Sequence, residues 1–230
     1  MLFDPDPQFT GLPEEGFDLF SIPGRVERRR LILETIHPQL HVLGEDLVTQ
    51  LAPVAHGDLH LHLPRLDWPR NYQPFCTWLA LSYEVHGYQS GPQLNVGVHA
   101  DHVTVRLGWD TSAAAFGRFE FLCRIGHLDG PLLEATREAG LHLRVHAAAP
   151  WPDGSRLVFE SAADLEGSFA EVHRRGVWWE IGRRYPWPAE RELICSEQLG
   201  AEAARIFKIL LPVFDRLLGE RGIGHSPALS

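Results

Sequence analysis

The sequence predicts a single α+β domain: a mainly antiparallel β-sheet packed against several helices, with a long C-terminal helix. Three observations predict it. Strand-like runs follow one another across short turn-forming connections, as antiparallel pairing requires. Helical runs with one apolar stripe flank them. The chain has 230 residues, 44% of them hydrophobic, enough for one sizeable core. No internal repeat or long linker divides it, so residues 1–230 are expected to form one unit.

Residues 1–24 are rich in Pro and Gly yet carry Phe9, Leu12, Phe17, Leu19, Phe20 and Ile22. Leaving such groups in water would forfeit about 1.5–3 kcal/mol each. The segment is therefore expected to wrap on the core and to stop at Pro23-Gly24. Residues 25–56 read as helix, because Ile36, Leu40, Leu43, Leu47 and Leu51 recur at helical spacing. Pro38 either kinks this helix or opens a second one. Leu59, Leu61 and Leu63 alternate with His60 and His62, a half-buried strand. The prolines at 64, 69 and 74 exclude a central strand there. Phe75–Tyr83 is the next strand.

Pro92–Trp109 is the sharpest signal. With Val98 facing Val103, Val96 pairs with Val105 and Leu94 with Leu107, while Asn95 pairs with Arg106 and Gly97 with Thr104. One face is then apolar on both strands and the other polar, and a one-residue slip would break both. The His99-Ala100-Asp101-His102 loop suits a type I turn, since Ala disfavours positive φ. Helices are expected over 112–125, 131–140 and 162–175. Strands are expected at 141–146, at 156–160 (a hairpin with the former) and at 177–185. The last helix is expected to end near Leu218, with Ile206, Leu210, Phe214 and Leu217 inward and Pro212 loosening one turn. Residues 222–230 read as a frayed tail.

The runs Phe9-Thr10-Gly11-Leu12 and Phe17-Asp18-Leu19-Phe20-Ser21-Ile22-Pro23-Gly24 resemble the opening of the YktB-like family of uncharacterised bacterial proteins. Gly87-Tyr88 followed by Pro92-Gln93-Leu94-Asn95-Val96-Gly97-Val98 resembles its central hairpin, and Leu210-Leu211-Pro212 is similar too. These motifs span most of the chain, with departures expected between about 125 and 185. The resemblance implies a single α+β domain with an antiparallel sheet. It implies no activity, substrate, cofactor or catalytic residue.

Composition narrows function. A net charge of −9 argues against nucleic acid as a partner. Arg25, Arg28, Arg29 and Arg30 read as a solvated helix face diluted by Glu27 and Glu34. Cys76, Cys123 and Cys195 are few, scattered and set among apolar residues, so they read as small hydrophobes. With no signal-peptide pattern and no long apolar run, a soluble cytoplasmic protein without membrane partner is expected. No Gly-rich phosphate loop, G-x-S-x-G elbow or H-E-x-x-H helix occurs, so no cofactor is expected. His60-x-His62 can chelate, but HxH alone is weak and no metal is assigned.

The candidate ligand site is the polar face of the hairpin: His60, His62, Asn95, Gly97, His99, His102 and Arg106. Gly97 leaves room above the sheet, and Arg106 could bind a carboxylate or phosphate bidentately. A small anionic molecule is the expected ligand. The bland alternative for these residues is a solvated sheet face, or Gly97 opposite Thr104 making room for a packed helix. The alternative function is a non-enzymatic interaction or regulatory protein, in the form of a homodimer, because Trp68, Trp151 and Trp187 each precede a proline in a loop.

Overall fold

The computed structural model describes residues 8–66, 74–86, 88–110, 130, 134, 140–147, 156–157 and 177–218. Within them, α1 (Glu15–Asp18) runs into a 3-10 turn at Leu19–Ser21, and then come α2 (Arg25–Thr35) and α3 (His37–Leu51). Strand β1 (His60–His62) and β2 (Cys76–Ser82) precede the hairpin of β3 (Gln93–His99) and β4 (His102–Asp110). Then follow β5 (His142–Ala147), β6 (Arg156–Leu157), β7 (Val177–Pro186), α4 (Arg191–Ile194) and α5 (Gln198–Leu218). The helices expected at 112–125 and 162–175, nearly all of that at 131–140, and the tail lie outside the described residues. Gly140, the expected helix stop, is described and has φ +58.

The seven strands form one sheet in the order β1-β2-β3-β4-β7-β5-β6, and every pairing is antiparallel. The hairpin register is the expected one: Leu94 with Leu107, Asn95 with Arg106, Val96 with Val105, Gly97 with Thr104 and Val98 with Val103. Ala100 is not among the residues with positive φ, consistent with the non-primed turn. The hairpin of β5 and β6 also forms.

Leu79, Leu81, Leu94, Val96, Val98, Val103, Val105, Leu107 and Ile181 point to one face and are fully buried. Helices α3 and α5 pack on these strands and on each other. Their stripes, Leu40, Leu43, Leu47 and Leu51 on α3 and Ile206, Leu210, Phe214 and Leu217 on α5, are the ones the spacing predicted. Pro38 opens a second helix, with the break at Ile36. Helix α3 stops at Leu51, short of the expected 56. Pro212 lies inside α5, which runs on to Leu218. The N-terminal segment wraps as expected, burying Phe9, Leu12, Phe17, Leu19 and Phe20. Trp187 is pinned by Phe17, the rings stacked 4.1 Å apart.

One expectation is corrected. The arginines of α2 do not share a solvated face. Arg28 is buried (8% exposed), because it donates from Nε and Nη2 to the Ile22 carbonyl and from Nη1 to that of Pro74. It ties the wrapping segment to the sheet through acceptors that would otherwise be buried unmet. Arg30 instead pairs at the surface with Glu27 and Glu34.

Polar clamps join the layers. Tyr83 Oη donates to Asp215 Oδ1 (2.6 Å), and His56 Nδ1 lies 2.7 Å from Asp215 Oδ2, which links β2 and the end of α3 to α5. Tyr185 Oη donates to Glu202 (2.7 Å), which also holds Arg205 and joins β7 to α5. His37 Nε2 and Thr77 Oγ1 are hydrogen-bonded at 2.7 Å under the first turn of α3. Burial, with help from the Arg29 charge, pushes the His37 imidazole down to about 4. The folded protein therefore binds fewer protons there than the unfolded chain, so stability is present above pH 6.5 and is lost as pH falls toward 4. Denaturant midpoints at pH 7, 5.5 and 4.5 should fall in that order. His37→Gln should flatten the fall between 7 and 5.5, and an unchanged slope would contradict the assignment.

Candidate functional site

The register carries all seven expected ligand residues to one face of the sheet. His62 pairs with Ala80, Ala80 with Asn95, Asn95 with Arg106 and Arg106 with Gly182, a continuous row across five strands. A second row runs Trp78, Gly97, Thr104, Arg184. Cys76 faces His99, and His60 faces Ser82. Strand β2 stands between β1 and β3, so His60 and His62 are about 10 Å of sheet away from Asn95 and Gly97. The site predicted as one cluster is two neighbouring ones.

The hairpin cluster is buried, which corrects the solvated form of the bland expectation and leaves its packed form standing. Asn95 and Thr104 are almost fully buried, as is Glu180, and Arg106 is 8% exposed. Arg106 Nη1 pairs with Glu180 Oε2. The geometry requires Gly182: a Cβ there would sit 2.6 Å from both Cα and Cβ of Arg106. Without one, the Arg106 side chain can cross β7 to reach Glu180. At the turn, Arg184 Nη2 donates to Asp101 Oδ2 (2.7 Å), and Asp101 Oδ1 meets His102 Nδ1 at 2.5 Å. The His102 ring stacks on His99, centroids 4.1 Å apart. Burial, then the His102 and Arg106 charges, hold His99 well below the ordinary histidine range, so it is neutral. Burial pushes the Cys76 thiol up to about 12, which disqualifies it as a nucleophile at neutral pH.

The edge cluster opens onto a cleft of about 660 Å³, lined by residues 61–66, Trp78, Val85, His86, Tyr88 and Gln89. His62 stacks on Tyr88, centroids 4.6 Å apart, and its Nε2 lies 3.1 Å from Ser82 Oγ and 2.9 Å from the Glu84 carbonyl. Burial first lowers its pKa, so the neutral ring is favoured. Buried Leu66, in the lining, holds φ +54, a conformation bulky residues rarely adopt outside constrained sites. Of the seven expected residues, only His62 lines this cleft.

All of the cleft, and the hairpin beside it, fall within a stretch with known relatives. Residues 12–114 match the family model described as Domain of unknown function (DUF1054). This bears out the YktB-like resemblance. The UPF0637 protein OB1420 of Oceanobacillus iheyensis is 33% identical over 98 residues, 43% of this chain and 48% of that protein. The UPF0637 protein lwe1043 of Listeria welshimeri is 29% identical over 115 residues, 48% of this chain and 56% of that protein. The UPF0637 protein ABC2405 of Shouchella clausii is 30% identical over 99 residues, 43% and 47% of the two chains. The aligned part of the chain thus spans about half the length of these relatives. The DUF1054 match also ends near β4, so the C-terminal motif Leu210-Leu211-Pro212 lies outside it.

Sequence reasoning missed Glu180, Arg65, Trp78 and Tyr88. Glu180 had a usable signal, a lone carboxylate in an aromatic strand two residues from Gly182. Arg65, Trp78 and Tyr88 had none, because three separate segments bring them to the cleft. Among the described residues no group of three metal-ligating side chains gathers. Likewise no described helix is long and apolar enough to cross a membrane.

The hairpin's ion pair makes a direct prediction. Arg106→Met should cost about 3–5 kcal/mol in urea unfolding, because it removes one partner of a buried ion pair. Arg106→Met with Glu180→Met should recover most of that loss. A double variant no more stable than the single one would mean that the charge pair is not the source.

Proposed function

We propose that the protein binds a small anionic molecule carrying a flat ring, in the cleft at the β1 edge of the sheet. The observation that carries this reading is the charge of the lining. The chain has 30 acidic residues against 21 Lys and Arg, yet among the described residues the lining includes Arg65, His62 and His86 and no Asp or Glu. Arg65 is exposed, and no carboxylate pairs with its guanidinium among the described residues. Trp78 and Tyr88 add aromatic surface to the lining, and polar groups set beside apolar ones in a concave site are what small-molecule recognition uses. This moves the expected anion site from Arg106 to Arg65. Arg106 already has its counter-charge in Glu180, so a second anion there would meet a neutral pair.

The interaction-protein reading has less support. The exposed large hydrophobic side chains among the described residues, Val26, Val54 and Val85, stand on three separate segments. Single exposed apolar residues are ordinary.

Calorimetric titration with AMP, benzoate and inorganic phosphate tests the proposal. AMP, which combines a ring with a charge, should bind most tightly. Arg65→Ala should weaken it about tenfold, the equivalent of one charge-assisted hydrogen bond, and added salt should weaken it further. No binding of any probe at millimolar concentration would overturn the reading, and adenosine binding as well as AMP would remove its anionic part.

A further inference from the structure

We propose that a notch over Gly97, on the buried part of the polar face, is a binding site for one neutral hydroxylic oxygen held jointly by Thr104 and His99. It is independent of the edge cleft. Residue 97 has no side chain, and Thr104 Oγ1 leans into the place a Cβ would take. A Cβ there would lie 2.6 Å from Thr104 Oγ1, 3.4 Å from His99 Nε2 and 3.7 Å from Arg106 Nη2, so three polar atoms converge on the space above one glycine. Thr104 is 2% exposed. Thr104 Oγ1 and His99 Nε2 are both buried without a hydrogen-bond partner. A single such atom is unusual in a folded protein, and two facing one notch call for a shared partner.

The surroundings choose the partner's chemistry. Among the described residues Arg106 is paired with Glu180, and Arg184 and His102 share Asp101, so each charge that borders the notch already has a partner. His99 is held neutral, first by burial and then by the His102 charge. A full charge placed there would gain no opposite charge for the water it lost. A threonine hydroxyl can donate or accept, and so can Nε2 of a neutral imidazole, according to tautomer. A hydroxylic oxygen is the small group that does both, and it satisfies the two orphans at once. Water and a small alcohol share this chemistry.

The test is a pair of crystal structures of the full chain, one grown without any alcohol and one soaked in ethylene glycol. Density within hydrogen-bonding distance of both Thr104 Oγ1 and His99 Nε2 is expected. If it is present without alcohol, the oxygen is water's. If it appears or lengthens only after soaking, the site takes an alcohol. An empty notch in both crystals, or a direct bond between Thr104 and His99, overturns the proposal. Thr104→Val should lower Tm by about 2–4 °C, the shift of one lost hydrogen bond in a chain of this size. An unchanged or raised Tm contradicts the proposal, because deleting an unmet buried hydroxyl costs nothing. Should the valine variant not fold, Thr104→Ser keeps the hydroxyl and must keep the density.

Discussion

Side chains alternate strictly along a strand, so pairing Val96 with Val105 commits twelve neighbouring positions at once. Leu94, Val96, Val98, Val103, Val105 and Leu107 go under α3 and α5. Asn95, Gly97, Thr104 and Arg106 go to the other face. A slip of one residue in either strand would drive Arg106 or Asn95 into the helix-packed core, where neither could meet Glu180 or any other charge. The same register passes through β4 to β7 and sets Gly182 beside Arg106. Every feature of the polar face inherits its position from that one pairing.

Burying a polar face needs compensation, because charges and amides removed from water lose several kcal/mol unless they are paired. The sheet meets this with opposite charges on adjoining strands. Arg106 on β4 reaches Glu180 on β7, and Arg184 on β7 reaches Asp101 in the turn before β4. Both pairs cross the same seam, so they hold β4 to β7 as well as neutralising each other.

How much of this the sequence shows depends on how far apart the partners are in the chain. The hairpin is local: a few residues separate its strands, and alternation alone fixes the pairs. The stripes of α3 and α5 are equally legible, because each is periodic within itself. Glu180 pairs with a residue 74 positions away, and nothing periodic connects them. The insertion of β2 between β1 and β3 is of the same kind, and it is what divides the expected histidine cluster. Arg28 shows the opposite failure. Its neighbours Arg25, Arg29 and Arg30 make it look like one of a solvated set, but its turn of helix faces the carbonyls of Ile22 and Pro74. Charge runs report composition, whereas burial of one member depends on where unmet acceptors lie.

The stretch that matches DUF1054 ends at residue 114, and the physical unit does not. Within 12–114, β4 would be an edge strand, its outer backbone groups unpaired. Val103, Val105 and Leu107 would lack α5, which packs on β4 and β3. Arg106 would be buried without Glu180. Strand β7 and helix α5 remove all three liabilities together. Tyr185 and Glu202 then bind those two elements to each other, while Asp215 fastens α5 to Tyr83 and His56 inside the matched stretch. The match supplies the cleft and the hairpin, while β7 supplies the counter-charge on the hairpin's polar face and α5 the cover of its apolar one.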